Sequence, residues 1–462
     1  MKRIYFIGIG GIGMSALASY FKLKGHIVAG YDRTPSEITE MLKAQNIPVH
    51  FEDNVEQIPQ EFREKNNVLV VYTPAVPASH SELNYFKNNG FEIKKRSQVL
   101  AEVVNFKYTI AVAGTHGKTT TAAMIVNILR EAKMPMLAFL GGIATNIQSN
   151  FYSYENGKEA IAVAEADEFD RSFLQLNPDV AVITSMDSDH LDVYADADQL
   201  TAAYIEFSNR IRNKGTLAVR QGLNIKKPEI AEKLVSFGIE DDSDITAENI
   251  RIENGHFVFE LNEKQKQTFT IKMLVPGRHN VLNALAAFAA TANLVESPQQ
   301  VKKGLESFTG VHRRFEYHLR TPEMVYVDDY AHHPEELRQT ILALQELYPQ
   351  KKVTGIFQPH LYSRTRDFAE SFAQSLSLLD EVVLLPVYPA REEPIPGVDA
   401  EMILNRMTLA DKHLVKKEHL LGFLQTHKVE VLATLGAGDI DRLAGPIANL
   451  LRQRLNEKHL AS

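Results

Sequence analysis

The chain of 462 residues has no cysteine. Disulfides and thiolate metal sites are therefore excluded, and a cytoplasmic location is the expectation. It also lacks any run approaching the ~18 uncharged apolar residues of a membrane span, which predicts no membrane insertion. Long Lys/Arg tracts are missing too, and 50 basic residues against 58 acidic ones leave a formal charge of −8. Neither nucleic acid nor an anionic membrane surface is an expected partner on that balance. An anionic substrate must instead be met by local cations and helix N-termini. No internal repeat or low-complexity tract is visible. The start, Met1-Lys2-Arg3-Ile4-Tyr5-Phe6-Ile7-Gly8, breaks into a glycine loop without a small-residue cleavage site, so it reads as a first strand and not as a signal peptide.

What is present is most distinctive at residues 109–121. An apolar strand runs into Gly114-Thr115-His116-Gly117-Lys118-Thr119-Thr120, and a helix is expected over 122–131. Glycines let backbone amides close around phosphate oxygens, and the helix N-terminus adds its positive dipole end. Lys118 can reach the β- and γ-phosphates, and the Thr119 hydroxyl can ligate Mg²⁺. The position five before Gly117 is Val112, where the general phosphate loop has glycine. The order strand, loop, helix nonetheless points to ATP or GTP.

Three α/β segments follow one another. The first, residues 1–106, opens with a strand over 3–7, the turn Gly8-Ile9-Gly10-Gly11-Ile12-Gly13, a helix over 14–24 and a strand over 26–31 closing on Asp32. That is the dinucleotide fingerprint, and the amides of Gly10, Gly11, Ile12 and Gly13 are expected to hold a diphosphate. The pattern leaves open whether it belongs to NAD or to a nucleotide-sugar. In the second segment, 107–311, strands over 160–164 and 180–186 end in Glu165-Ala166-Asp167-Glu168 and Asp187-Ser188-Asp189-His190-Leu191-Asp192. Alternation about Asn254-Gly255 predicts a hairpin, and a helix is expected over 279–292. The third segment, 312–462, has strands expected over 324–327, 353–357, 381–385 and 430–434, with helices over 334–347, 364–378 and 439–452. The architecture read from this is a Rossmann-like N-terminal domain, a central P-loop-type ATPase domain with a mostly parallel sheet, and a C-terminal Rossmann-like α/β domain.

Magnesium needs more than a threonine, and a carboxylate from a neighbouring strand end usually completes its site. Glu165, first after its strand, is the better candidate; His190 either serves a second metal or caps its turn. His279 and Asn283, four apart on one helix face, suit an adenine edge, or Asn280 caps that helix and Asn283 is solvated. In the third segment, Asp328-Asp329-Tyr330-Ala331-His332-His333-Pro334 and Gln358-Pro359-His360-Leu361-Tyr362-Ser363-Arg364 follow two strands, with Arg313 and Arg314 at the junction. Such loops suit a carboxylate-bearing substrate and charge developing on a transferred phosphoryl group.

In this order the motifs resemble those of the Mur ligases over nearly the whole length. The turn at Gly8–Gly13 is similar to that family's loop for a UDP-sugar, and 114–121 to its ATP loop, where Val112 is no departure. Residues 165–168 and 189–192 resemble its two magnesium segments, and 310–315, 328–334, 357–360 and 436–439 its remaining signatures. The resemblance implies ATP-dependent joining of L-alanine to the carboxylate of UDP-N-acetylmuramate through an acyl phosphate, with ATP and Mg²⁺, in a monomer or homodimer. It gives Lys118, His190, His332 and Arg364 catalytic roles, and Thr119, Glu165 and His190 the metal. Gly114, Thr115, His116, Gly117, Lys118, Thr119, Thr120, His279, Asn283, Arg314 and Asp329 would meet ATP. Gly10, Gly11, Ile12, Gly13, Asp32, Tyr330, His332, His360 and Arg364 would meet the other substrates, Asp32 near the uridine end.

The chain differs from the usual family pattern at Phe169 and Arg171, at Leu361 after His360, and in the short segment 141–146. A ligase that attaches an intact tripeptide to the same sugar nucleotide shares the reaction class. A nicotinamide-dependent dehydrogenase would explain residues 8–32 but leave Lys118 and both acidic motifs idle. A nucleotide-gated switch protein would not need the polar loops after 328 and 358.

Overall fold

A computed structural model describes residues 2–187, 194, 196–264, 266, 268–390 and 392–461. The chain divides into two compact units. One comprises Met1–Asn249, Phe259–Ile271 and Leu282–Phe308; the other comprises Ile250–Val258, Lys272–Val281 and Thr309–Ser462.

The first unit opens with a five-stranded parallel sheet of β1 (Arg3–Ile7), β2 (Ile27–Tyr31), β3 (Val49–His50), β4 (Val68–Tyr72) and β5 (Glu92–Lys95), in the order β3-β2-β1-β4-β5. Ile4 to Ile7 are all buried, as an unbroken apolar run must be in a sheet covered on both faces. Their alternation divides two cores, with Tyr5 and Ile7 packing with Phe62 and Phe86, and Ile4 and Phe6 with Leu17 and Val28. Chain order reverses across β1, where the glycine turn leaves the sheet.

The next sheet has ten strands: β6 (Thr109–Ala113), β7 (Met136–Ala144), β8 (Ser149–Tyr154), β9 (Ile161–Glu165), β10 (Val180–Ile183), β11 (Thr216–Arg220), β12 (Lys233–Ile239), β13 (Ile245–Glu253), β14 (His256–Glu263) and β15 (Thr268–Met273). Their order is β15-β14-β13-β12-β11-β10-β6-β9-β7-β8. β6 lies between β9 and β10 and is parallel to both. The phosphate loop and the residues after Glu165 and Ile183 therefore leave the sheet side by side.

In the second unit, β16 (Glu316–Arg320), β17 (Val325–Asp329), β18 (Val353–Phe357), β19 (Glu381–Leu384), β20 (Lys412–Leu414) and β21 (Val431–Leu435) form a sheet in the order β16-β17-β21-β18-β19-β20. Only β16 runs antiparallel to its neighbour. The turn between β13 and β14 has positive φ at both Asn254 and Gly255, as a two-residue hairpin requires.

Several element ends differ from expectation for local reasons. The helix expected from 122 begins at Lys118, because Gly117 takes a left-handed N-cap conformation of φ 85°. The strand expected to reach 186 stops at Ile183, since Thr184 and Ser185 turn their side chains to the phosphate loop. The last helix starts as a 3₁₀ turn, Asp439–Leu443, before Ala444–Ala461. Segment 141–146 falls in the unforeseen β7–β8 hairpin. Among the described residues no helix is long and apolar enough to cross a membrane.

Candidate active site

The phosphate loop is shaped by its neighbours. Gly114 has φ 129°, and a Cβ there would collide with the Thr184 hydroxyl; one at Gly117 would collide with Asn283 Oδ1. The His116 amide donates to Ser185 Oγ at 2.8 Å, the Thr184 hydroxyl donates to the His116 carbonyl, and Thr115 Oγ1 donates to the Asp187 carbonyl at 2.7 Å. Lys118 folds back over this loop: its Nζ donates to the Gly114 carbonyl at 2.7 Å and to Glu168 at 2.8 and 2.9 Å. Glu168 is buried, while Asp167 and Asp170 keep partly exposed side chains. Burial alone would push the Lys118 ammonium down; Glu168, with Asp167 and Glu165, outweighs it and holds Lys118 above the usual lysine range.

Thr119 and Glu165 meet as a metal site requires. Thr119 Oγ1 lies 3.1 Å from Glu165 Oε2, and the Gly141 amide donates to Oε1 at 2.5 Å. Burial pushes the Glu165 carboxyl above the usual carboxylate range, against the Gly141 amide, Lys118 and Thr119, which favour its ionised form. A half-buried hydroxyl and carboxylate side by side, the carboxylate facing a cavity, offer the oxygen ligands that a hard cation takes, so the residues fit Mg²⁺. His190, with Asp189, Leu191 and Asp192, lies outside the described residues.

A cavity of about 240 Å³ joins this acidic end to the glycine turn, lined among others by Gly11, Gly13, Thr73, Arg96, Gly141 and Glu165. The expectation that Gly10 and Gly11 offer their amides to a diphosphate needs correction. The Gly10 amide donates to Asp32 Oδ2 at 2.7 Å, and that of Gly11 to the Gly8 carbonyl at 3.2 Å. Asp32 thus straps the turn through one of its carboxylate oxygens. The amides left for a ligand are in the open first turn of helix Ile12–Leu23, at Ile12 and Gly13. Arg96 supplies the cation that sequence reasoning missed: a Cβ on Gly13 would stand 2.8 Å from its Nη1, and its Nη2 is 3.8 Å from Asp167. Its only signal in the sequence was an arginine opening a helix directly after β5. Asn150, also missed, holds the helix start by donating to Ser15 Oγ at 2.8 Å and to the Ile12 carbonyl.

Asn283 is buried and accepts from Thr121 Oγ1 at 3.2 Å, so the alternative of a solvated amide fails. Asn280 is not the cap of its helix, which begins at Arg278; its Nδ2 donates back to the Pro276 carbonyl at 2.7 Å.

In the second unit, Tyr330, His332 and His360 come together, with ring centroids 5.0 Å apart for the first pair and 6.2 Å for the second. Tyr388, unforeseen, stacks on His360 at 5.9 Å, and its carbonyl accepts from the Leu361 amide. Leu361 has φ 68° and turns the chain into helix Tyr362–Leu376, which carries Arg364 in its first turn. Signatures 357–360 and 436–439 meet through Gln358, which accepts from the Ile440 amide and donates to Asp439, both at 2.9 Å.

Arg313 and Arg314 both lie over the Tyr330 ring at 5.1 Å. Asp329 is buried and accepts from the Phe315 and Ala331 amides and from the Thr340 hydroxyl, so it fixes this turn rather than presenting free oxygens to a nucleotide. Burial pushes its carboxyl up to about 6, although Arg314 and Thr340 pull the other way. His279 is pushed down to about 4 by burial and by the Arg314 charge, and its Nδ1 has no hydrogen-bond partner among the described residues.

Comparison with known proteins gives three family matches in chain order: "Mur ligase family, catalytic domain" over residues 3–108, "Mur ligase middle domain" over 112–291, and "Mur ligase, glutamate ligase domain" over 313–439. The UDP-N-acetylmuramate–L-alanine ligase of Parabacteroides distasonis is 47% identical over 459 residues, 99% of each chain. That of Christiangramia forsetii is 47% identical over 441 residues, 95% of each. The crystal structure of the UDP-N-acetylmuramate–alanine ligase of Thermotoga maritima superposes with a TM-score of 0.82 at 29% identity, covering 98% of this chain and 100% of that one. A murein peptide ligase from Psychrobacter arcticus shares the fold, with a TM-score of 0.71 at 22% identity over 98% of this chain and 99% of its own. A phosphate loop beside a buried carboxylate, a glycine turn opening on the same cavity, and three successive matches over a full-length likeness leave one assignment: the chain belongs to the Mur ligase family.

Proposed function

We propose that this chain is an ATP-dependent ligase that joins L-alanine to the carboxylate of UDP-N-acetylmuramate, a step of peptidoglycan precursor synthesis. The observation that carries the proposal is the single cavity lined by both Gly13 and Glu165. A nucleotide-sugar whose diphosphate meets the Ile12 and Gly13 amides and Arg96 would extend its far end toward Glu165 and the phosphate loop. The three domains of this reading span 1–106, 107–311 and 312–462.

A carboxylate is a poor electrophile. Its oxygen first attacks the γ-phosphorus of ATP, ADP leaves, and an acyl phosphate forms. The deprotonated amine of alanine then attacks the acyl carbon, the C–O bond to phosphate breaks and inorganic phosphate leaves. The amine gives one proton to phosphate or solvent, with no covalent enzyme intermediate. Catalysis here is mainly positioning and charge stabilisation. Lys118 would transfer its hydrogen bonds from the Gly114 carbonyl to phosphate oxygens while Glu168 holds its ammonium charged. Thr119 and Glu165, with His190, would hold Mg²⁺, which supplies the charge neutralisation that lets an anion approach the phosphate. Asn283 and the neutral His279 would serve the adenine, and Arg314 the phosphate or ribose. Tyr330, His332, His360 and Arg364 would place alanine and the reacting carboxylate. The same reading makes the enzyme cytoplasmic, as a monomer or homodimer.

The test is phosphate release from ATP with Mg²⁺, UDP-N-acetylmuramate and L-alanine, each omitted in turn, with the alanyl product identified by mass. Release that ignores alanine and responds to a tripeptide would replace the proposal with the recycling reaction. Absence of release under every combination would end it.

A further inference from the structure

A second constellation lies in the C-terminal sheet and shares no residue with the site above. Glu381 opens β19 and is fully buried, which is costly for a carboxylate unless both oxygens are matched. Its Oε2 is matched: the Thr354 hydroxyl donates to it at 2.9 Å and Lys352 Nζ stands 3.2 Å away. Its Oε1 is equally buried and accepts no hydrogen bond. The Nε2 atoms of two histidines converge on that oxygen, His413 at 3.3 Å and His427 at 2.5 Å, neither aligned to donate. Asp411 stands beside them, with Oδ1 3.0 Å from His413 Nε2 and Oδ2 2.7 Å from Lys352 Nζ.

Lys352 therefore occupies one oxygen of each carboxylate and leaves the other facing imidazole nitrogen. Ligand atoms of Glu381, Asp411 and His413 all lie within 4.8 Å of one another. Bonds of ~2.0–2.1 Å in a tetrahedral site imply ligand–ligand edges of about 3.3 Å. The spacings of 3.0 and 3.3 Å at His413 are near that edge, and the His427 pair has only to open by under about 1 Å. The two carboxylates against one lysine leave a charge of about −1 from these three groups, which a cation would offset. We propose that Glu381, Asp411 and His413 bind a divalent transition metal of the zinc class, with His427, whose Nε2 stands against Glu381 Oε1, brought in as a fourth ligand by a turn of its ring. With His427 the set has four protein ligands and no position left for water, the closed arrangement of a structural rather than a catalytic site. The ion would tie β19 to the short edge strand β20 and to His427, the C-cap of helix Leu420–Thr426.

The test uses the full chain, stripped with a chelator and then titrated with Zn²⁺ or Co²⁺ in excess Mg²⁺. One tightly bound equivalent, a zinc-dependent rise in melting temperature and the intense visible bands of four-coordinate Co²⁺ are expected. His413→Ala and His427→Ala should each lose that equivalent and the bands, whereas Glu165→Gln should keep both. If either alanine variant fails to fold, Asp411→Asn, at a half-exposed position, should fold and weaken binding at least ~10-fold, since even outer-shell changes cost that much. Absence of the bands and of zinc stabilisation in the parent chain would overturn the proposal. So would full retention in the histidine variants, or a stability that responds to pH and not to zinc.

Discussion

Lys118 and Glu168 form a buried ion pair, with Nζ 2.8 and 2.9 Å from the two carboxylate oxygens. The loop lysine is held charged before any nucleotide arrives, in a place where desolvation alone would neutralise it. Glu168→Gln should leave a buried ammonium without its counter-charge and lower the unfolding free energy by about 3–5 kcal/mol in denaturant melts. Lys118→Met added to that variant should cost far less than either change alone. Additive losses would show that the pair is not coupled.

Asp329 links stability to pH in the opposite sense from most carboxylates. Its folded value of about 6 lies above the unfolded value near 3.8. The stability tied to its protonated form is therefore complete below about pH 4 and lost as pH rises through 6. The loss amounts to about 3 kcal/mol at neutral pH, at 1.36 kcal/mol per unit. A ¹³C carboxyl titration, assigned with Asp329→Asn, should show a midpoint near 6. A midpoint near 4 would contradict the burial that places Asp329 under the Arg314 turn.

The supporting framework was legible where a single segment carried it. The strand over 353–357 and the helix over 334–347 appear with the expected bounds, because each has an unbroken apolar run or a Pro-led helical period of its own. The phosphate loop was legible because a strand, a glycine turn and a helix are contiguous in sequence, and the strand ending at Glu165 because its apolar run stops on an acid. Arg96, Asn150 and Tyr388 were not, since each acts on a partner distant in the chain and no local pattern marks it. The donor that Asp32 meets was not legible for a related reason: the fingerprint records that an acid follows the second strand, not which donor it serves.

That donor can be tested. If Asp32 straps the turn by accepting from the Gly10 amide at 2.7 Å, Asp32→Asn keeps an acceptor oxygen in place and Asp32→Ala removes it. KM for the UDP-sugar should stay within a few-fold in the first variant and rise at least ~10-fold in the second, the worth of about 1.4 kcal/mol for a charge-assisted bond. Equal losses in the two variants would return Asp32 to direct contact with the ligand.

Gly117 combines two constraints that substitution separates. Its φ of 85° disfavours any side chain, and a Cβ would strike Asn283 Oδ1. Gly117→Ala should abolish ATP turnover, and Gly117→Ala with Asn283→Ala should relieve the collision but not the backbone strain of ~1–2 kcal/mol. Partial recovery of the melting temperature in the double variant relative to Gly117→Ala is the expected result, since Asn283→Ala also removes the proposed adenine contact; full recovery would mean that the left-handed conformation is dispensable.

His279 should stay neutral at physiological pH. Burial and the Arg314 charge push it down to about 4, well below the usual imidazole range. A depressed histidine contributes stability that is fully present above its unfolded value near 6.5 and is lost as pH falls through 4. By pH 4 the loss is about 3 kcal/mol. Urea melts of the parent chain should steepen their decline between pH 6.5 and 4, and His279→Phe, which cannot protonate, should remove that part of the slope. KM for ATP between pH 5.5 and 8 should carry no titration that His279→Gln abolishes. A ring resonance of His279 moving with a midpoint near 6.5 would mean that the imidazole is solvated, and the neutral contact to adenine would lose its physical basis.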